Sequence, residues 1–174
     1  MSRKDGSKMA FLSTKPQEEP LHSGEVFNLW SHLFATKAFL VTLQILTNHS
    51  SDNDLKAFLE DFMENCVKQE EQQTEAILKT SGIRLPPAPP ARPDVNPEDI
   101  PAGARFNDPE IAGLIQREIV AGNILFSYVM GISLREDIAQ MFGEFHTQRT
   151  EYEEKLLKIS KEKGWLVPPP MNLK

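Results

Sequence analysis

Two stretches of this chain, 83 residues apart, repeat one another, and that repeat constrains the fold more than any other feature. Residues 54–62 read DLKAFLEDF and residues 137–145 read DIAQMFGEF. Each follows a serine-led turn after an apolar helix. At an offset of 82, residues 82–87 (GIRLPP) match residues 164–169 (GWLVPP). A glycine ends a helix in both places, and apolar residues then lead into a proline pair. The chain therefore reads as two copies of helix, turn, helix, glycine stop and extended proline tail. Each hairpin has an apolar face that it cannot bury alone, so the two copies are expected to pack face to face.

The apolar periodicity fills in the four helices. From Glu25 to Asn48, Val26, Leu29, Trp30, Leu33, Leu40 and Leu43 recur at spacings of three and four. Ser23 is the expected cap, and Phe27, Phe34, Val41 and Ile45 widen the stripe. The second helix follows Ser50-Ser51-Asp52, which supply N-cap oxygens. It carries Leu55, Phe58, Leu59, Phe62, Met63, Cys66, Ile77 and Leu78, and Gly82 ends it. Residues 83–106 hold seven prolines, which forbid a continuous helix and favour extended backbone. A stretch this long is the kind of connection that joins parallel helices of a bundle. The third helix begins at Asn107-Asp108 with Pro109 expected at the first helical position. The fourth begins at Ser133, with Glu136 three residues on as a capping box, and stops at Gly164.

These readings give an all-α fold, an antiparallel four-helix bundle of two similar hairpins. Residues 1–20 form a flexible N-terminal segment. Residues 21–174 form a single domain: hairpin 24–82, proline-rich crossover 83–106, hairpin 107–164 and extended tail 165–174.

Several stripe positions are polar. Lys37 lies between Leu33 and Leu40, Glu70 and Gln73 between Cys66 and Ile77, Glu118 between Ile115 and Gly122, and Arg149 between Phe145 and Tyr152. A buried unpaired charge costs several kcal/mol, so these residues are expected to pair in a structural polar layer. A core metal site is the alternative, with Glu70, Glu118 and His146 among its ligands. Di-iron bundles use four carboxylates and two histidines, with a Glu-x-x-His pair on each of two helices. This chain offers Glu70-x-x-Gln73, and it places His146 two residues after Glu144, so no catalytic, cofactor or metal residue is assigned. A third reading is a small-molecule pocket lined by Trp30, Phe126 and Phe145. His22, His32, His49 and His146 stand alone, and Cys66 is read as a small buried hydrophobe. The run from Lys68 to Glu75 reads either as a solvated helix face or as a helix end that projects to meet a partner.

The net charge of -6 argues against nucleic acid and against an anionic membrane as the main partner. No apolar run without polar interruption reaches the roughly 20 residues of a membrane span. A single cysteine suits a reducing compartment. The expected location is the cytoplasm.

Four segments carry a resemblance to a known family: Ser23 to Trp30 (SGEVFNLW), Gly82 to Pro87, Arg105 to Asp108 (RFND) and Lys163 to Pro170 (KGWLVPPP). From about residue 20 onward the chain resembles uncharacterised ferritin-like bundle proteins of spore-forming bacteria, labelled as spore coat proteins and related to spore coat protein F. The resemblance implies an up-down-down-up bundle with the proline-rich segment as its crossover. It implies no established activity. The metal ligands of more distant fold relatives do not carry over. The expectation is a non-enzymatic protein of sporulation that needs no cofactor and acts through protein contacts. Other coat proteins are its expected partners, the spore coat its second expected location, and a homodimer its means of covering the surplus apolar surface of the first helix.

Overall fold

The computed structural model describes residues 19–170 and 172, so most of the 1–20 segment and part of the tail lie outside the described residues. The described residues form an all-helical bundle without strands. The helices are α1 (Ser23–His49), α2 (Asn53–Phe62), α3 (Lys68–Thr80), α4 (Asp108–Ile132) and α5 (Glu136–Glu162). A π-helical turn, Met63–Val67, joins α2 to α3. The bounding residues keep right-handed helical backbone, so α2, this turn and α3 make one continuous rod.

Local chemistry sets the helix ends. At α1 the cap is His22, where Ser23 was expected. His22 Nδ1 accepts from the Gly24 N–H at 2.9 Å, and the Glu25 carboxylate accepts from the His22 N–H at 3.1 Å. Asp52 caps α2 by accepting from the Asp54 and Leu55 N–H groups, each at 3.0 Å. Asn107 and Glu110 form a reciprocal capping box at α4. The capping box expected at Ser133 does not form. Ser133 instead ends α4, its N–H and hydroxyl both donating to the Val129 carbonyl. Helix α5 starts at Glu136, after Arg135, which makes no side-chain cap. Gly82 and Gly164 take φ values of 70° and 71°, a left-handed conformation that glycine adopts at little cost. Behind them the Ile83 N–H donates to Leu78 O, and the Trp165 N–H to Ser160 O. Both pairs are again 82 residues apart.

The repeat extends to the turns. Glu25 Oε1 accepts from the Leu134 and Arg135 N–H groups at 2.8 and 3.0 Å. Asp108 Oδ1 accepts from the Ser50 hydroxyl and from the Ser51 and Asp52 N–H groups at 2.9, 3.0 and 3.3 Å. Every residue of the first clasp has its counterpart 83 positions away in the second. The first residues of α1 thus close the turn before α5, and the first residue of α4 closes the turn before α2. The clasps set α1 and α4 antiparallel, in fixed register.

Residues 83–106 run beside α1 in its own direction. Trp30 Nε1 donates to Arg84 O, Lys37 Nζ to Pro86 O and Asn48 Nδ2 to Pro93 O. Gln44 accepts from the Arg92 N–H, and His49 from the Phe106 N–H. Proline-rich chain has carbonyls to satisfy and few N–H groups to offer. The side chains of α1 supply the missing donors.

Two apolar clusters fill the interior. One gathers Leu43, Leu55, Phe62, Ile115, Tyr152 and Leu156 towards the C-terminal end of α1. The other gathers Leu29, Leu33, Leu78, Phe126, Phe142 and Phe145 towards its N-terminal end. Phe27 and Phe34, expected to widen the buried stripe of α1, are 70% and 48% exposed. By length and composition alone α1 could cross a membrane, contrary to the expectation from its polar interruptions. Half of its apolar window is buried against the other helices.

Candidate functional site

The buried stripe of the second rod runs Phe62, Cys66, Glu70, Thr74 and Leu78. Successive steps of four drift by about 40° each in a straight α-helix. The wider π turn takes up part of that drift and keeps Glu70 pointed into the bundle. Arg149, from the middle of α5, meets it there. Arg149 Nε donates to Glu70 Oε1 and Nη2 to Oε2, both at 2.7 Å, and the two residues are 5% and 0% exposed. This is a bidentate charged pair, the strongest hydrogen-bonded geometry available to these side chains.

The surroundings complete the pair. Nη1 of Arg149 donates to the Glu118 carbonyl at 3.3 Å. The guanidinium lies 5.3 Å from the Phe126 ring centroid and 5.8 Å from that of Phe62, a favourable placement for a desolvated cation. Gly122 permits the approach, because a Cβ there would fall 2.6 Å from Nη1. Cys66 Sγ donates to Glu70 Oε1 at 3.6 Å. His32 Nε2 stands 3.8 Å from Glu70 Oε2, and the imidazole packs among the rings of Phe126, Phe142 and Phe145.

The electrostatics follow from burial around one charged pair. Burial, reinforced by the positive charge of Arg149, pushes His32 down to about 3, so its ring is neutral. Burial and then the Glu70 carboxylate push the Cys66 thiol up, so it stays protonated. Burial works against the charge on Arg149, yet Glu70 holds the guanidinium above its ordinary range. The layer therefore contains one anion, one cation, a neutral imidazole and a thiol.

The other polar residues singled out by the sequence do not join this layer. Lys37 is buried but pairs with Glu75 at 2.8 Å and donates to Pro86 O. The carboxyl of Glu75 is held below its usual range, first by Lys37 and then by Lys79. Gln73 is exposed, and Thr74 takes the inward position. Glu118 is exposed and contributes its carbonyl to the layer. Glu70, Glu118 and His146 do not converge. Among the described residues no group of three or more His, Cys, Asp or Glu side chains is placed to hold a metal ion. The run from Lys68 to Glu75 is neither wholly solvated nor projecting, since it buries Glu70 and Thr74. Trp30, Phe126 and Phe145 line no common pocket. Trp30 borders a surface hollow with Leu21 and Phe27, whereas Phe126 and Phe145 pack in the core. A cavity of about 200 Å³ opens between α1 and α4, is lined in part by Phe126 and Glu118, and reaches Arg149 and His32.

Sequence reasoning passed over His32, Thr36 and Thr74 as members of the buried polar set. A spacing signal existed for two of them. His32 and Thr36 are four apart on a helix whose neighbouring positions, Leu29, Leu33 and Leu40, are buried.

The class defined by these features is an all-helical bundle with a closed charge pair at its centre. The chain belongs to the family described as "Protein of unknown function (DUF3231)", whose model matches residues 9–174. It is 47% identical over 165 residues to "Uncharacterized protein YvdQ" of Bacillus subtilis (strain 168), covering 95% of this chain and 96% of that protein. It also matches the crystal structure of a "putative spore coat protein" from Bacillus halodurans C-125, with a TM-score of 0.88 and 42% identity. That match covers 91% of this chain and 99% of the other.

Proposed function

We propose that this chain is a non-enzymatic, ferritin-like bundle that works through protein–protein contacts as a component of the spore coat. The observation that carries the reading is the Arg149–Glu70 pair. Di-iron bundles place a carboxylate-rich ligand set on facing helices at the centre. Here a guanidinium takes both oxygens of the central carboxylate. A cation that would need Glu70 as a ligand must first displace a buried positive charge.

The finer topology belongs to the same reading. The clasps of Glu25 and Asp108, and the path of residues 83–106 beside α1, support two similar hairpins joined by a proline-rich crossover in up-down-down-up order. The name of the similar B. halodurans protein supports the coat assignment. Membrane insertion forms no part of this reading, and other coat proteins are the proposed partners.

The test fractionates sporulating cells that carry an epitope-tagged chain. Recovery in coat extracts is expected, and recovery confined to membranes would overturn the reading. A companion measurement is the metal content of protein purified without chelator and then supplied with iron and manganese. Stoichiometric metal that is lost in Glu70→Ala would overturn the non-enzymatic part.

A further inference from the structure

The outward side of the α1/α4 pair differs from the rest of the surface. From Val26 to Thr36, α1 carries no Asp, Glu, Lys or Arg, and α4 with its following turn carries none from Ile119 to Leu134. The clasps hold the two helices antiparallel, with Phe34 near the level of Ile124 and Tyr128 at a level between Phe27 and Phe34. Phe27, Phe34, Ile124 and Tyr128 are 70%, 48%, 68% and 57% exposed. With aromatic side chains of about 150–250 Å² each, these four present roughly 400–500 Å² of uncovered surface. Ser31, Ala35 and Ala121 lie between them and extend the patch. The four side chains alone supply roughly half of the ~800 Å² that each partner of a stable complex contributes.

We propose that this face is the interface of a two-fold homodimer, with Phe34 of each copy seated in the cavity between α1 and α4 of the other. The proposal rests on the reading of the bundle as a contact protein and names one partner. Three observations favour a second copy over other occupants. A two-fold interface brings a surface against itself, so any charge near the axis meets its like. Residues 26–36 and 119–134 carry no charge of either sign and escape that penalty, with Glu118 at their edge. The chain's net charge of -6 opposes both self-association through the charged faces and adsorption to anionic lipid. The third is shape: the mouth of the cavity of about 200 Å³ is bordered by Ala35, Phe39, Ala121, Gly122 and Leu125, with Glu118 also on its lining and His32 and Arg149 deeper in it. It lies at the level of Phe34, so knob and hole occur together on one surface.

Sedimentation velocity of the full chain at micromolar concentration tests this. A species of twice 19.7 kDa is expected. Phe34→Glu and Ile124→Glu should each weaken the dimer roughly tenfold or more. Both positions are exposed in the monomer, so helical circular dichroism and Tm should hold. A wild-type monomer overturns the proposal, and so does a dimer that both variants leave intact. A wild-type monomer that floats with phosphatidylglycerol vesicles also overturns it and assigns the face to lipid. A monomer still recovered from coat extracts overturns the dimer alone and leaves the coat assignment standing.

Discussion

The centre of the bundle and its two turns both use a buried or half-buried carboxylate, to opposite ends. At the centre, Glu70 meets a full positive charge, and both partners have left water to do so. At the turns, Glu25 and Asp108 meet backbone N–H groups that would otherwise be orphaned. A buried ion pair stabilises little over an apolar pair of the same shape, although breaking it is costly. A carboxylate on orphaned N–H groups repairs a deficit that every helix start carries. The centre therefore excludes alternative packings, while the turns hold the helices in register.

The largest test of that contrast is Glu70→Ala. It strands the Arg149 charge and should cost about 3–5 kcal/mol in urea unfolding. The double variant Glu70→Leu with Arg149→Met should recover most of that loss. A single variant that loses under about 1 kcal/mol would break the contrast from the side of the centre.

His32 gives the next largest effect. Its native pKa near 3 lies below the unfolded value of about 6.5, so the unfolded chain takes up the proton first. The contribution is intact above about pH 6.5 and falls by about 1.4 kcal/mol per unit as pH drops towards 3. At pH 4.5 the loss is about 2–3 kcal/mol relative to neutral pH. Tm measured against pH for wild type and for His32→Gln isolates it, because the extra acid sensitivity should vanish in the variant.

The turns come third and fourth. Glu25→Ala leaves the Leu134 and Arg135 N–H groups without an acceptor and should cost about 2 kcal/mol by thermal unfolding. Glu25→Gln should lose less, because its amide oxygen still accepts. Asp108→Ala should cost about 1 kcal/mol, since Asp52 still caps α2 on its own. Equal losses for Glu25→Ala and Asp108→Ala would erase the distinction between the two turns.

What was legible in the sequence was what short spacing encodes. The four helical segments, the cap at Asp52, the start of the third helix at Asn107-Asp108 and the glycine stops rest on contacts within a few residues. Arg149 and Glu70 stood out because each interrupts an apolar stripe. Gln73 was misplaced because a stripe read at an average of 3.6 residues ignores the π turn, which shifts inward positions to Glu70 and Thr74. Glu118 was misplaced because α4 steps by four there, burying Ile115 and Ile119 and leaving the position before Ile119 outside. The cap at Ser133 was inferred from a serine and a glutamate three residues on. The residue that closes that turn is Glu25, 109 and 110 positions away from the groups it serves. No local pattern reports such a pairing.

That long reach carries a consequence for the order in which the chain assembles. Hairpin contacts close short loops and form early, whereas a bond between residues 25 and 134 must wait until nearly the whole chain has collapsed. Leu134 and Arg135 therefore acquire their acceptor only after α1 has docked on the second hairpin. In kinetic terms the Glu25 clasp is a latch rather than a nucleus. Glu25→Ala should speed unfolding and leave the folding rate nearly unchanged, with a φ-value close to zero.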